Sequence, residues 1–417
     1  MRISISRFLS RTNGIISHLA TRAPDPANLK FVWTSTAATP HPAAARGIPF
    51  KTRGFGVAFT AAAAETKAVA EALELYAASN CADDDLVFSS VARLKEDLVD
   101  PRDVCLYYRY SDVRDLPLQR FSSRTSIAWT QGHWLDTREP VWLPAFLIYF
   151  GARVSMDQSF APITTSGLAT GTSVDDAALR ALCELVERDA FIITWLAKLP
   201  ARRVIPDESL DSDTGAIVRR FQRRGLESRI YLLNAGIDLP VVLSVIFGDG
   251  KDWPGATVAL GAHPDPIEAV RKAILEQALM GPGIRRMLID RWIVPRRRRE
   301  IKTPYDHALY YLRPHRARDF KFLDSTNTPP IDLSTLQTPN DLSLESVVCT
   351  LARAGTRVAI KDLTPPDVAV SSSFRVVRAL ATGLQPLWFG GETPRLISPR
   401  LRRFAKNVLN PRPHPLG

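Results

Sequence analysis

The sequence predicts a mixed α/β protein with helices packed on β-sheets, and three observations carry that reading. The run AAAAETKAVAEALELYAAS (61–79) holds strong helix formers with no Gly or Pro. Short apolar runs bounded by turn residues recur at 141–150, 229–236, 239–248 and 256–262, as buried strands do. Helical patterns return at 173–193 and 265–280, so strands and helices alternate along the chain.

Composition agrees with a globular chain. Of 417 residues 45% are hydrophobic and 23% charged, enough to build a large core. No run of apolar residues is long enough to span a membrane. Cys81, Cys105, Cys183 and Cys349 form no CxxC pair, and the seven histidines show no HxxxH spacing, so zinc chemistry and a disulfide framework are not indicated. A reducing, cytoplasmic location in a bacterium is expected. The net charge of +11 concentrates at Arg296–Arg299, in PRRRREIK after Pro295. Without an aromatic-rich surface or a nucleic-acid motif, that run reads as a solvated basic loop, and nucleic acid is not an expected partner.

Taken in order, residues 1–45 read as a variable, irregular lead-in, and 46–417 as one catalytic unit. The 61–79 helix follows. VWLPAFLIYF reads as a strand, then SGLATG leads into the helix that opens TSVDDAALRALCELVERDAF. RIYLLNAG, LPVVLSVIFG and ATVALGA read as strands, the last two joined through a hairpin-like GDGKDWPG. DPIEAVRKAILEQALM is a helix, and TRVAIKDL and QPLWFGG are late strands. No internal repeat is evident.

The helices share an unusual distribution of acids. Glu71 and Glu74 stand three residues apart, which brings their Cβ atoms to about 5–6 Å. On the later helix Ser173 occupies an N-cap position with Asp176 three residues on, where a capping box places its acid. Leu179, Leu182, Leu185, Val186 and Ile193 form the apolar stripe, and Asp176, Glu184 and Glu187 cluster away from it. Like charges so close weaken a helix, and a hard divalent cation with oxygen ligands would favour them. A solvated face with Arg180 pairing to Glu184, and Asp176 serving only as a cap, is the alternative.

Beyond these patterns, SGLATG with ELVERDA resembles the signature of the YcaO family, as GFGVAFTAAAAETKAVAEALELYAAS resembles its first motif. GAHPDPIEAVRKAILEQ is similar to a later segment, and VAIKDLTPPDV and VRALATGLQPLWF to the closing strands and loop. The resemblance implies a YcaO-type fold that binds ATP and Mg2+ without a P-loop. Metal ligands are then Glu71, Glu74, Asp176, Glu184 and Glu187, and nucleotide-binding residues are Arg188, Glu276 and Gln277. The chain departs from the family at Phe55, Lys67, Leu75 and Thr172, with Gln277 displaced beside Glu276; Lys67 is assigned to the nucleotide in place of the missing lysine.

The chain closes on NPRPHPLG, where Pro411, Pro413 and Pro415 make a PxPxP pattern, by itself a stiff extended segment. In the family such a tail marks the members that form azoline rings, and the resemblance places the Gly417 carboxylate beside Arg188 in catalysis. It thus implies an ATP-dependent cyclodehydratase that makes thiazolines and oxazolines from Cys, Ser and Thr of a ribosomal precursor peptide. A leader-peptide-binding partner, an FMN-dependent azoline dehydrogenase and a homodimer within a larger complex are the implied partners. Rival readings are a family member forming a thioamide or amidine, and a weakened scaffold that binds a peptide or partner.

Overall fold

The computed structural model describes residues 5–24, 32–39, 53–81, 86–104, 121–150, 160, 164–325, 327–391, 398–405 and 409–417. Cys105, and the parts of the expected lead-in at 1–4, 25–31 and 40–45, lie outside the described residues. The chain divides into two compact units. The first holds Met1–Ala23, Trp33–Leu185 and Ser343–Leu384, and the second Pro24–Val32, Val186–Leu342 and Gln385–Gly417.

Unit 1 contains two sheets. Strands β1 (His18–Arg22), β2 (Trp33–Ala38) and β3 (Arg53–Ala58) run antiparallel in that order, so part of the segment read as an irregular lead-in is sheet. Helix α1 (Ala61–Ser79) spans the residues the sequence predicts and packs on β3. The second sheet has the order β4 (Val87–Ser89), β5 (Ile127–Trp134), β13 (Val358–Asp362), β14 (Arg375–Ala381) and β7 (Leu168–Gly171), with β6 (Pro140–Pro144) paired to β5. VWLPAFLIYF thus keeps its strand only to Pro144, and Ala145–Ile148 turns into the short helix α3, after α2 at Pro101–Val104. Helices α8 (Leu344–Arg353) and α9 (Pro366–Ser371) complete the unit. Trp129, Phe146, Phe150 and Phe160 lie in its core with Val69, Leu73 and Leu75 of α1.

Helix α4 (Val174–Ala197) continues from unit 1 into unit 2. Its second half, 189–196, is buried on every side. Unit 2 is built on an antiparallel meander of β11 (Ala256–Ala262), β10 (Val241–Phe247), β9 (Glu227–Leu233) and β8 (Arg202–Ile205), which β12 (Ile331–Asp332) joins in parallel. The hairpin expected at GDGKDWPG is there, with Gly250 at a φ of 71°. Around the sheet lie α5 (Ser212–Arg223), α6 (Pro266–Ile289), α7 (Pro304–Tyr310) and α10 (Pro399–Phe404).

Three sequence expectations change here. Helix α6 continues nine residues past Met280, through Gly281-Pro282-Gly283. Gly281 suits that path because a Cβ there would stand 2.8 Å from the Trp253 ring. QPLWFGG forms no strand, because its bonded amides go to scattered partners instead of a ladder: Gln385 N–H donates to Asp189, Gly390 N–H to His307 and Gly391 N–H to the Ile301 carbonyl. An internal repeat is also present. Gly56, Ala64, Lys67, Ala68 and Glu71 recur in unit 2 as Gly261, Ala269, Lys272, Ala273 and Glu276 at one constant offset. A Cβ at Gly56 would lie 1.9 Å from the Ala64 oxygen, and one at Gly261 2.3 Å from that of Ala269. Only glycine admits so close a strand-to-helix approach. Lys67 donates to the Val57 carbonyl at 3.0 Å and Lys272 to that of Ala262 at 3.1 Å, so the same lysine clamps each pair.

The basic loop is a displayed one. Arg296, Arg297 and Arg299 are exposed, and Glu300 fixes the loop by accepting the Arg296 amide at 2.7 Å.

Candidate active site

In unit 1 the acids of α1 and α4 are threaded onto backbone amides. Glu71 accepts the Phe55 N–H at 2.7 Å, Glu74 the Thr170 N–H on β7 at 2.7 Å, and Glu184 the Gly167 N–H at 2.9 Å. Gly167 sits at a φ of 82°, the left-handed region that turns its amide toward α4 without a steric cost. Thr170 Oγ1 returns a bond to the Ala70 carbonyl at 3.0 Å. Helix α1, strand β7 and the turn before it are thus laced by carboxylates, and all three acids are half-buried.

Asp176 has a different set of partners. Ser173 caps α4 by accepting the Asp176 amide at 3.0 Å, as the sequence predicts. The Asp176 carboxylate accepts the Thr172 amide at 2.8 Å and pairs with Arg180 at 2.8 Å. Burial alone would raise this carboxyl, and the Thr172 amide and Arg180 outweigh it and hold the group below the usual carboxylate range. Arg180 therefore pairs with Asp176 and not with Glu184, as the sequence suggested. The Asp176 carboxylate thus ties the turn before α4 to the first turns of the helix.

Further along α4, in unit 2, Glu187 and Arg188 are half-buried. Glu184, Glu187 and Arg188 fall at i, i+3 and i+4, so they line one side of the helix. Glu276 is exposed on α6, at the position Glu71 holds in the repeat. Its neighbour Gln277 is buried and donates to Thr257 of β11, leaving its side-chain oxygen without a hydrogen-bond partner. Glu276 and Gln277 therefore face different surroundings. Lys67 is exposed and holds the Val57 carbonyl. Leu75 is core, and Phe55 is 37% exposed.

Two arginines escaped the sequence reading. Arg378 of β14 is buried in unit 1, donating to the carbonyls of Leu147 at 3.0 Å and Thr164 at 2.8 Å, with Nη1 unbonded. Burial pulls it down to about 10, and the charge of Glu184 opposes that. Arg400 of α10 is bidentate on Asp189 at 3.2 and 2.8 Å, where the Gln385 amide also donates at 2.7 Å. Burial pushes the Asp189 carboxyl up, while Arg400 acts against it. Asp189 is the residue after Arg188, so this buried pair anchors α4 where the candidate residues lie. Neither arginine sits in a local pattern that sequence reading could detect.

The tail lies in unit 2 with Pro413, His414 and Pro415 buried and Gly417 exposed. Pro411 is exposed at its start. Gly417 lies near Ala308 and Pro304 at the head of α7.

A family model described as YcaO cyclodehydratase, ATP- and Mg2+-binding, matches residues 55–385. The chain belongs to the YcaO family. Its fold is that of solved YcaO heterocyclases. One, a heterocyclase in complex with substrate and cofactor, aligns with a TM-score of 0.76 at 21% identity, covering 92% of this chain and 51% of the other. The YcaO protein of Methanopyrus kandleri, bound with AMPPCP and Mg2+, aligns at 0.64 and 21% identity over 89% and 86% of the two chains. The E. coli microcin synthetase McbBCD complex contributes a match at 0.60 and 14% identity, over 87% and 86%. An uncharacterised protein in the tfuA 3' region of Rhizobium leguminosarum bv. trifolii is 31% identical over 161 residues, 36% of this chain and 38% of its own. An uncharacterised Mycobacterium tuberculosis protein is 28% identical over 234 residues, 54% and 48% of the two. The chain thus spans less than half the length of these curated relatives.

The YcaO family binds ATP and Mg2+, so the acids can be tested against that metal. Among the described residues no three His, Cys, Asp or Glu side chains form a cage able to hold a metal alone. Magnesium seldom asks for one: it is usually held by one or two carboxylates plus phosphate oxygens and water. The half-buried carboxylates of Glu71, Glu74 and Glu184 are hard oxygen donors of that kind, and they fit.

Proposed function

We propose that this YcaO protein is an ATP- and Mg2+-dependent cyclodehydratase that converts Cys, Ser or Thr residues of a ribosomally made precursor peptide into thiazoline or oxazoline rings. The observation that supports the reading is the tail: Pro413, His414 and Pro415 of its PxPxP segment are buried in a formed seat. That also weighs against the thioamide, amidine and scaffold alternatives.

A thiol or hydroxyl of the peptide adds to the preceding carbonyl carbon, and the tetrahedral oxygen takes the γ-phosphoryl of ATP, releasing ADP. Phosphate then leaves with the C–O bond as the ring nitrogen loses its proton and C=N forms. An amide oxygen is a poor leaving group, and phosphorylation makes it a good one. In this reading Glu71, Glu74, Glu184 and Glu187 hold magnesium. When bound, the metal supplies positive charge against the triphosphate. Arg188 meets the transferring phosphoryl with a second fixed charge. The Gly417 carboxylate takes protons, and Glu276 lies toward the nucleotide. A leader-binding protein and a flavin-dependent dehydrogenase complete the assembly, with the chain as a homodimer.

The test is mass spectrometry of a Cys-bearing candidate precursor peptide incubated with the protein, its partner, ATP and magnesium. Loss of one water per ring, matched by ADP and phosphate, is expected. ATP consumption with an added sulfur or amine on the peptide would place the chain with the alternative chemistry.

A further inference from the structure

The tail is gripped in an unusual way. Proline at 411, 413 and 415 removes alternate amides, so this segment offers more acceptors than donors and its carbonyls are its main handles. Three consecutive carbonyls are taken by three side chains of unit 2, one on α4 and two a helical turn apart on α7 and its C-cap. Trp195 Nε1 of α4 donates to the Arg412 oxygen at 3.1 Å, Tyr311 Oη to that of Pro413 at 2.6 Å, and His307 Nδ1 of α7 to that of His414 at 2.9 Å. All three donors are at most 1% exposed.

The donor role of His307 follows from its other contact. His307 Nε2 accepts the Gly390 N–H at 3.1 Å, so in the neutral ring the proton is on Nδ1, facing the tail. His414 stacks on His307 with centroids 4.0 Å apart, and its Nε2 donates to the Trp388 carbonyl at 2.7 Å. Asn410 opens the segment by donating from its amide to the Leu196 oxygen at 2.7 Å and from its side chain to that of Trp195 at 3.1 Å. The seat is filled: Trp195, His307, Trp388, Pro413 and His414 leave a cavity of about 10 Å3.

We propose that Trp195, Tyr311 and His307 are positioning residues that set the register of the 410–417 tail against helix α4. Trp195 lies seven residues, two turns, beyond Arg188, on the same face and about 10 Å along the axis. One rigid helix therefore bears both the arginine assigned to phosphate and the first of the three tail donors. A slip of the tail by one residue would put a proline ring where the His414 imidazole stacks on His307 and bonds Trp388, so the seat with its three donors admits one register. That the register matters for turnover rests on the proposed function above; the capture of the tail does not.

The test uses the full chain with Tyr311→Phe, His307→Leu and His307→Gln. Gln can donate and accept as His307 does, so it is the rescue. Hydrogen exchange of the 409–417 peptide is read by mass spectrometry, and ATP turnover with its KM in the reconstituted system. Tyr311→Phe and His307→Leu are expected to speed exchange about fivefold, the effect of one ordinary hydrogen bond. They should also lower turnover at unchanged KM for ATP, with His307→Gln near wild type in both. Unchanged exchange in both loss variants overturns the ladder. Faster exchange with unchanged turnover overturns the positioning role and leaves a structural one. Wild type that turns over no ATP speaks against the proposed function alone, because the exchange arm needs no activity.

Discussion

Arg400 and Asp189 show how much one residue can hold. Removing the guanidinium strands a carboxylate that is 0% exposed, with the Gln385 amide as its remaining donor. Arg400→Met is expected to cost about 3–5 kcal/mol, seen as a fall in the urea midpoint. Asp189→Asn in the same chain should recover part of it by removing the buried charge. His307 makes a prediction in pH. Burial pulls its imidazole from 6.5 to about 4, so the unfolded chain takes up the proton first as pH falls. Its contribution is complete above 6.5 and is lost toward 4, about 3 kcal/mol across the window. The difference in acid stability between wild type and His307→Gln should follow that window. A difference independent of pH would contradict the assignment.

At the level of elements, the two repeated strand-helix pairs stand on glycine and lysine. A methyl at Gly56 must push β3 off α1, so Gly56→Ala should destabilise unit 1 by about 1–3 kcal/mol, and Gly261→Ala unit 2 likewise, by denaturant titration. Lys67→Met should lose the Val57 clamp; a fall in ATP affinity by calorimetry would support the nucleotide role expected of Lys67, and unchanged affinity would contradict it. What could be read from sequence divides along physical lines. Helix α1 and the acids of α1 and α4 were legible because propensity and spacing are local properties. The repeat was not, since packing demands only a few small residues, a lysine and a glutamate and lets the rest drift. QPLWFGG was misread because apolar content alone suggests a strand, while its amides are claimed by Asp189 and His307 from far away in the chain. Arg378 and Arg400 find their partners by tertiary folding, so nothing near them announces a role. Asp176 was legible as an acid at the head of α4, while its bonds to Thr172 and Arg180 come from the fold of the turn before the helix.

For the molecule as a whole, the family match and the fold agree with an ATP- and Mg2+-binding protein. Helix α4 runs from unit 1, where Glu184 meets the Gly167 amide, into unit 2, where Trp195 meets the tail. If acids on this helix hold magnesium for ATP, as proposed, thermal unfolding with ATP, magnesium or both will report it. Ligand at a hundred times its Kd stabilises the folded state by about 2.7 kcal/mol. Wild type is expected to gain Tm only when ATP and magnesium are present together, and Glu187→Ala to lose that gain while melting normally without ligand. An equal gain in Glu187→Ala, or none in wild type with its partners present, would contradict the proposal.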